Sequence, residues 1–134
     1  MKKALVTGAN GFLGSLLVKK LIENNVKVIA ADMDGCCSRI SEEAQFVSFD
    51  MKNFSELAEK ITDSDIDVIY HMAWAGSSGA ARADYALQLQ NAQYTCDAVK
   101  TAAAMGIKRF VGAGTLAQKD CICLLYTSPS PRDA

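Results

Sequence analysis

Short apolar runs and stretches of helical periodicity alternate along this chain. Ala4-Leu5-Val6 leads to a stretch from about Phe12 to Glu23, where Leu13, Leu16, Leu17 and Leu21 recur at helical spacing until Asn24 and Asn25 close it. Val26 to Ala31 is a second apolar run, ending at Asp32, and Gln45 to Phe49 a third, ending at Asp50-Met51. Phe54, Leu57 and Ile61 mark a second amphipathic helix, and Ile66 to His71 reads as a fourth strand. After the loop Gly76-Ser77-Ser78-Gly79 comes a long helical stretch from about Ala80 to Met105. Its apolar stripe is Tyr85, Leu89, Ala92, Cys96, Val99 and Ala103, and Gly106 ends it. Lys108-Arg109-Phe110-Val111 begins a fifth strand, which runs into Gly112-Ala113-Gly114-Thr115. Strands alternating with helices predict an α/β fold, a parallel sheet with right-handed crossovers. Ligands of such sheets gather beyond the carboxyl ends of the strands, where Gly8, Asp32, Asp50, Ala73 and Thr115 all fall.

The join between the first strand and the first helix is Thr7-Gly8-Ala9-Asn10-Gly11-Phe12-Leu13-Gly14. Three glycines at this spacing suit a chain that turns tightly (Gly8), brings bare backbone to a diphosphate (Gly11) and lets the helix pack closely (Gly14). The helix then presents free N–H groups and a partial positive charge to the phosphates. With glycine at about 7% of residues, the spacing arises by chance only about 0.04 times in a chain this long, so it predicts a dinucleotide cradle. Asp32 lies eighteen positions after Gly14. A carboxylate there accepts hydrogen bonds from the adenosine ribose hydroxyls and repels a 2′-phosphate, and Met33-Asp34-Gly35 offers no arginine to welcome one. NAD is therefore expected rather than NADP. Asp32 also suits the start of a turn at Asp34-Gly35, which stays open as the alternative.

Composition narrows the partners. In 134 residues, half are hydrophobic, 22% are charged and the net charge is -1. This predicts a single domain with no basic field for nucleic acid and no polybasic membrane anchor. The apolar run after Met1-Lys2-Lys3 stops at Thr7-Gly8, too short for a secretory signal, and no run approaches the roughly 20 residues of a membrane span. A cytoplasmic protein is expected. The five cysteines, Cys36, Cys37, Cys96, Cys121 and Cys123, have no zinc spacing and are read as reduced thiols, with no metal site.

From residue 1 to about 118 the sequence resembles the extended short-chain dehydrogenase/reductase family, the NAD-dependent epimerases and dehydratases that act largely on nucleotide sugars. Val6 to Gly14 fits its T-G-x-x-G-x-x-G signature, so Gly8, Gly11, Phe12, Leu13 and Gly14 are expected at the cofactor. Asp32 fits its ribose-binding acid, and Asp50 with Met51 its adenine-side acid and apolar neighbour, while by position Asp50 either caps the helix that follows or faces adenine. His71-Met72-Ala73-Trp74-Ala75 is similar to the H-x-A-A/G segment, whose backbone lies along the diphosphate and nicotinamide ribose; Trp74 is bulky where a small residue is usual. Asn91, with Thr95 four residues on, matches a helix-borne asparagine that braces the active-site strand and is counted with the cofactor residues. Thr115 falls on the catalytic Ser/Thr position, where its hydroxyl would polarise the sugar hydroxyl or ketone. His71, the only histidine, is expected to hold the loop by a hydrogen bond rather than to act in catalysis. The resemblance implies a Rossmann-type doubly wound sheet of order 3-2-1-4-5, NAD, a nucleotide-sugar substrate and a homodimer.

The family's chemistry is hydride transfer, with a proton removed by the tyrosine of a Tyr-x-x-x-Lys helix. Tyr85, Tyr94 and Tyr126 all lack a lysine at the fourth position. The tail Cys123-Leu124-Leu125-Tyr126-Thr127-Ser128-Pro129-Ser130-Pro131-Arg132-Asp133 resembles one reading frame of a transposase adapter used in sequencing libraries. The expectation is therefore a partial dinucleotide-binding domain over residues 1–122, an adapter-derived disordered tail over 123–134, and a substrate domain lying elsewhere. A non-catalytic dinucleotide sensor, or an inactive fragment with strand five as an open edge, is the alternative.

Overall fold

A computed structural model of the chain describes residues 1–33, 35 and 37–115. The adapter-like tail, the boundary at residue 122, Asp34, Cys36, Cys121 and Cys123 lie outside the described residues. The elements are β1 (Lys3–Thr7), α1 (Phe12–Glu23), β2 (Lys27–Asp32), β3 (Gln45–Ser48), α2 (Ser55–Lys60), β4 (Val68–His71), α3 (Tyr85–Ala104) and β5 (Arg109–Gly112). Short 3-10 helices occupy Met51–Asn53 and Gly79–Ala83. The five strands form one parallel sheet of order β3-β2-β1-β4-β5, the order expected. Leu5 pairs with Ile29 on one side and Ile69 on the other, so the centre of the sheet is wholly apolar.

Alternation along the strands divides the core. Leu5, Ile29 and Ile69 face α2 and α3, together with Leu57, Ala98 and Ala102. Ala4, Val6, Val28, Ala30 and Val68 face α1 through Val18 and Leu21. Each large apolar side chain so buried contributes roughly 1.5–3 kcal/mol, and strands covered on both faces have no polar side to show. That is why they read as continuous apolar runs.

Expectations about three elements are corrected. Helix α3 begins at Tyr85 instead of Ala80, because the Asp84 carboxylate accepts the N–H groups of Ala86 (3.1 Å) and Leu87 (3.2 Å) and starts a new helix there. Its buried face is Asn91, Ala98 and Ala102, while Tyr85, Leu89, Cys96 and Val99 point outward. Small residues let this helix lie close to the sheet, and that proximity outranks the hydrophobicity of the larger side chains. On α1 the buried line is Gly14, Val18 and Leu21, with Leu13 and Leu16 exposed, because Gly14 is the contact point with the preceding turn. Finally, β4 starts at Val68 rather than Ile66. Asp67 uses its carboxylate to accept the N–H groups of Lys2 (2.6 Å) and Lys3 (3.0 Å), and these bonds hold its pKa below the usual carboxylate range.

Candidate dinucleotide-binding site

The glycine turn is fixed by contacts that leave no room for side chains. Gly8 has φ +68°, and a Cβ there would lie 2.6 Å from the Ala73 nitrogen. A Cβ on Gly14 would lie 2.0 Å from the Gly8 carbonyl oxygen, so α1 packs against the turn itself and not merely against its strand. Gly11 differs: its Cβ would meet only the Gly8 oxygen, at 3.2 Å, and otherwise face open space. The Gly11 N–H closes the turn on Gly8 O at 3.1 Å, and Ala9 N–H donates to Ala31 O at 3.2 Å. Gly11 caps α1 without a side chain, and the first helical turn carries no acidic residue. The first N–H groups of a helix have no partner inside it, so this end suits an anion.

Asp32, at the end of β2, faces the turn. One carboxylate oxygen accepts the Asn10 N–H and the other the Met33 N–H, both at 2.8 Å. The carboxylate therefore ties the end of β2 to the glycine turn, and two of its roughly four acceptor sites take no bond from the described residues. Asn10 in turn accepts the Arg39 N–H through Oδ1 at 2.7 Å, which ties the loop after β2 to the glycine turn. Asp50 is exposed and caps the 3-10 helix by accepting the Lys52 N–H at 3.0 Å; Met51 packs on the core beside it.

From the other side, β4 clamps the turn. Thr7 Oγ1 and His71 Nδ1 lie 2.8 Å apart in the buried layer, and the Met72 N–H donates to Thr7 O at 3.0 Å. His71 is 3% exposed, sits between the rings of Phe54 and Phe110, and has no partner at Nε2 among the described residues. Burial pushes its pKa below the ordinary value, so the ring is neutral near pH 7. Asn91, 1% exposed, accepts the Ala75 N–H at 2.9 Å and donates to Ala75 O at 2.7 Å. Gln88, one helical turn earlier, accepts the Trp74 indole N–H at 2.8 Å. Sequence reasoning did not single out Gln88, Thr7 or Asn10 individually; Gln88 sits three residues before Asn91, and that spacing was the available signal.

Thr115 is exposed three residues beyond β5, on the same carboxyl edge. The Ala113 N–H donates to His71 O at 3.0 Å, which carries the β4–β5 pairing up towards it. The structure thus brings Gly8, Gly11, Gly14, Asp32, Asp50, Met72, Ala73, Trp74 and Thr115 to one edge of the sheet, with Phe12 and Leu13 exposed at the start of α1. Asn91 acts from beneath it, through Ala75. Cys37 and Cys96 are exposed free thiols, and no metal-binding cluster occurs among the described residues. No described helix is long and apolar enough to cross a membrane. A groove of about 430 Å³ lies between the outer flank of α1 and the loop after β2, beside Lys19 and Arg39.

A glycine turn feeding an uncapped helix at the switch point of a 3-2-1-4-5 parallel sheet defines a Rossmann-type dinucleotide-binding fold. Comparison with known proteins places it more closely. The sequence profile of the NAD dependent epimerase/dehydratase family matches residues 4–120, and the chain belongs to that family. A Methanocaldococcus jannaschii protein, provisionally named a UDP-glucose 4-epimerase, is 45% identical over 71 residues, covering 52% of this chain and 23% of the relative. The crystal structure of a UDP-galactose 4-epimerase superposes with TM-score 0.73 at 25% identity, over 84% of this chain and 38% of that one. The UDP-glucose 4-epimerase of Thermus thermophilus in complex with NAD shares the fold, with TM-score 0.70 at 19% identity over 81% and 36% of the two chains. This chain spans less than half the length of each.

Proposed function

We propose that this chain forms the cofactor-binding part of an NAD-dependent epimerase or dehydratase that acts on a nucleotide sugar. One observation carries the reading: bare backbone at Gly11 and the uncapped start of α1 stand beside a half-buried carboxylate, Asp32, at the switch point of the sheet. Gly11 and the first N–H groups of α1 hold the diphosphate. Asp32 takes the adenosine ribose diol, and Asp50 with Met51 borders the adenine. Met72, Ala73 and Trp74 border the second nucleoside, with Asn91 fixing the segment from behind. Thr115 donates or accepts a hydrogen bond at the substrate hydroxyl that reacts. Bound NAD supplies a hydride acceptor.

Titration calorimetry with NAD and NADP tests the assignment. NAD should bind the more tightly, because Asp32 repels a 2′-phosphate. Asp32→Ala should weaken NAD by about 1.5–3 kcal/mol, roughly 10- to 150-fold, if a charge-assisted hydrogen bond is lost. The variant also frees the Asn10 N–H, so its melting temperature is measured alongside. Equal NAD affinity in the variant, or tighter NADP binding by the unaltered protein, refutes the ribose role.

A further inference from the structure

Trp74 stands out as the one large side chain between Ala73 and Ala81, and it is the only tryptophan in the sequence. Its indole is held at the polar edge. Nε1–H donates to Gln88 Oε1 at 2.8 Å, and Asn91 Nδ2 donates to the same oxygen at 3.3 Å. Gln88 is itself pinned, its Nε2 donating to Ala81 O at 3.0 Å and Gly76 O at 3.3 Å. The ring is nevertheless 45% exposed. A side chain so anchored has a fixed direction and an aromatic surface open to solvent.

The sheet order says what lies there. If Asp32 on β2 takes the adenosine side and the turn after β1 takes the diphosphate, the second nucleoside must continue across β1 towards β4. The Ala73 backbone already touches the turn at Gly8, and Trp74 is the next residue outward. A base carried along that path would reach the segment that holds Trp74. In the oxidised cofactor the nicotinamide is a cationic, electron-poor ring, and the indole face is the strongest side-chain partner for such a group.

We propose that Trp74, oriented by Gln88, is a stacking platform for the nicotinamide ring and favours the oxidised cofactor over the reduced one. This rests on the cofactor reading above. It makes Trp74 a specificity-determining residue for the nicotinamide half alone, leaving the adenosine half to Asp32.

The test uses NAD, NADH and ADP-ribose, which keeps both phosphates and the adenosine but lacks nicotinamide. Binding is measured by calorimetry and tryptophan emission is followed in parallel. NAD should quench the emission strongly, whereas saturating ADP-ribose should leave it nearly unchanged. Trp74→Ala should weaken NAD roughly 2- to 13-fold, the range expected for one aromatic pair, weaken NADH less, and leave ADP-ribose affinity unaltered. Trp74→Phe, which keeps a ring but loses the bond to Gln88, should fall between. If NAD and ADP-ribose both bind and neither changes the emission, or Trp74→Ala weakens both alike, the platform is wrong while the cofactor site stands. Quenching by UDP-glucose but not by NAD overturns it in favour of a substrate contact. Should neither dinucleotide ligand bind, the cofactor reading fails and the platform with it. The emission measurement needs no variant, so a poorly folding Trp74→Ala leaves the decision intact.

Discussion

The three glycines of the turn should respond differently to the same added methyl group, and Gly11 and Gly14 make the sharpest contrast. At Gly14 the new Cβ would stand 2.0 Å from the Gly8 carbonyl oxygen, 2.9 Å from its carbon and 3.0 Å from Ala9 Cα. All three are backbone atoms, and ordinary contact begins near 3.4 Å, so helix α1 must retreat by more than an ångström. Overpacking of this kind costs about 1–3 kcal/mol, and the upper end applies where no side chain can swing aside. Alanine recovers up to about 1 kcal/mol of helix propensity. Gly14→Ala should therefore lose about 1–2 kcal/mol, a fall of roughly 4–10 °C in melting temperature. At Gly11 the Cβ meets only one atom at 3.2 Å, and φ is -68°, open to any residue. Gly11→Ala should fold with nearly unchanged melting temperature, yet its methyl occupies the space where a diphosphate would approach. NAD affinity should drop at least tenfold, about 1.4 kcal/mol. Thermal denaturation and calorimetry on both variants read the contrast. A Gly11→Ala protein that melts lower than Gly14→Ala, or binds NAD as tightly as the parent sequence, refutes the assignment of steric roles.

Asn91→Ala should destabilise the fold by about 2–3 kcal/mol, because it leaves the N–H and C=O of Ala75 without their partner in a part-buried position; chemical denaturation measures it, and a loss below about 0.5 kcal/mol would show that water replaces the side chain. His71 gives a pH dependence of defined sign. Burial lowers its folded pKa below the unfolded value near 6.5, so the unfolded chain binds the extra proton first as pH falls. Its contribution is complete above about pH 6.5 and declines below it. Melting temperatures between about pH 8 and 5 should fall less steeply in His71→Asn than in the unaltered protein, and parallel curves would remove His71 as the cause.

Much of the site was legible because its signals are local. The glycine spacing reports a backbone with no room for a Cβ at Gly8 or Gly14, and Asp32 follows at the end of the next apolar run, so turn and carboxylate could both be placed from their neighbours in sequence. Helix α3 shows where such reading fails. Its leucine, tyrosine and valine positions have the right period, but Asn91, Ala98 and Ala102 own the buried face. Periodicity gives the helix and cannot give its rotation when small residues are selected for close approach. Trp74 with Gln88, and Thr7 with His71, join residues fourteen and sixty-four positions apart. No local pattern encodes such pairs: Thr7–His71 exists only once β4 lies beside β1, and Trp74–Gln88 only once α3 packs on the segment after β4.

Those distant pairs also contribute to positioning the turn. From the α1 side, contact comes through Gly14 and consists of backbone against backbone, with no side-chain cap to lock it. From the β4 side, the turn is held by the Thr7–His71 bond, the Met72 N–H to Thr7 O and the Ala73 backbone against Gly8. Ala75 is in turn fixed by Asn91, and Trp74 by Gln88, from α3. One chain of contacts to the glycine turn thus runs from α3 through the 72–75 segment to Gly8. Helix α1 packs on the turn through Gly14 and β2 holds it through Ala31 and Asp32, so α3 adds a third, indirect support through the 72–75 segment.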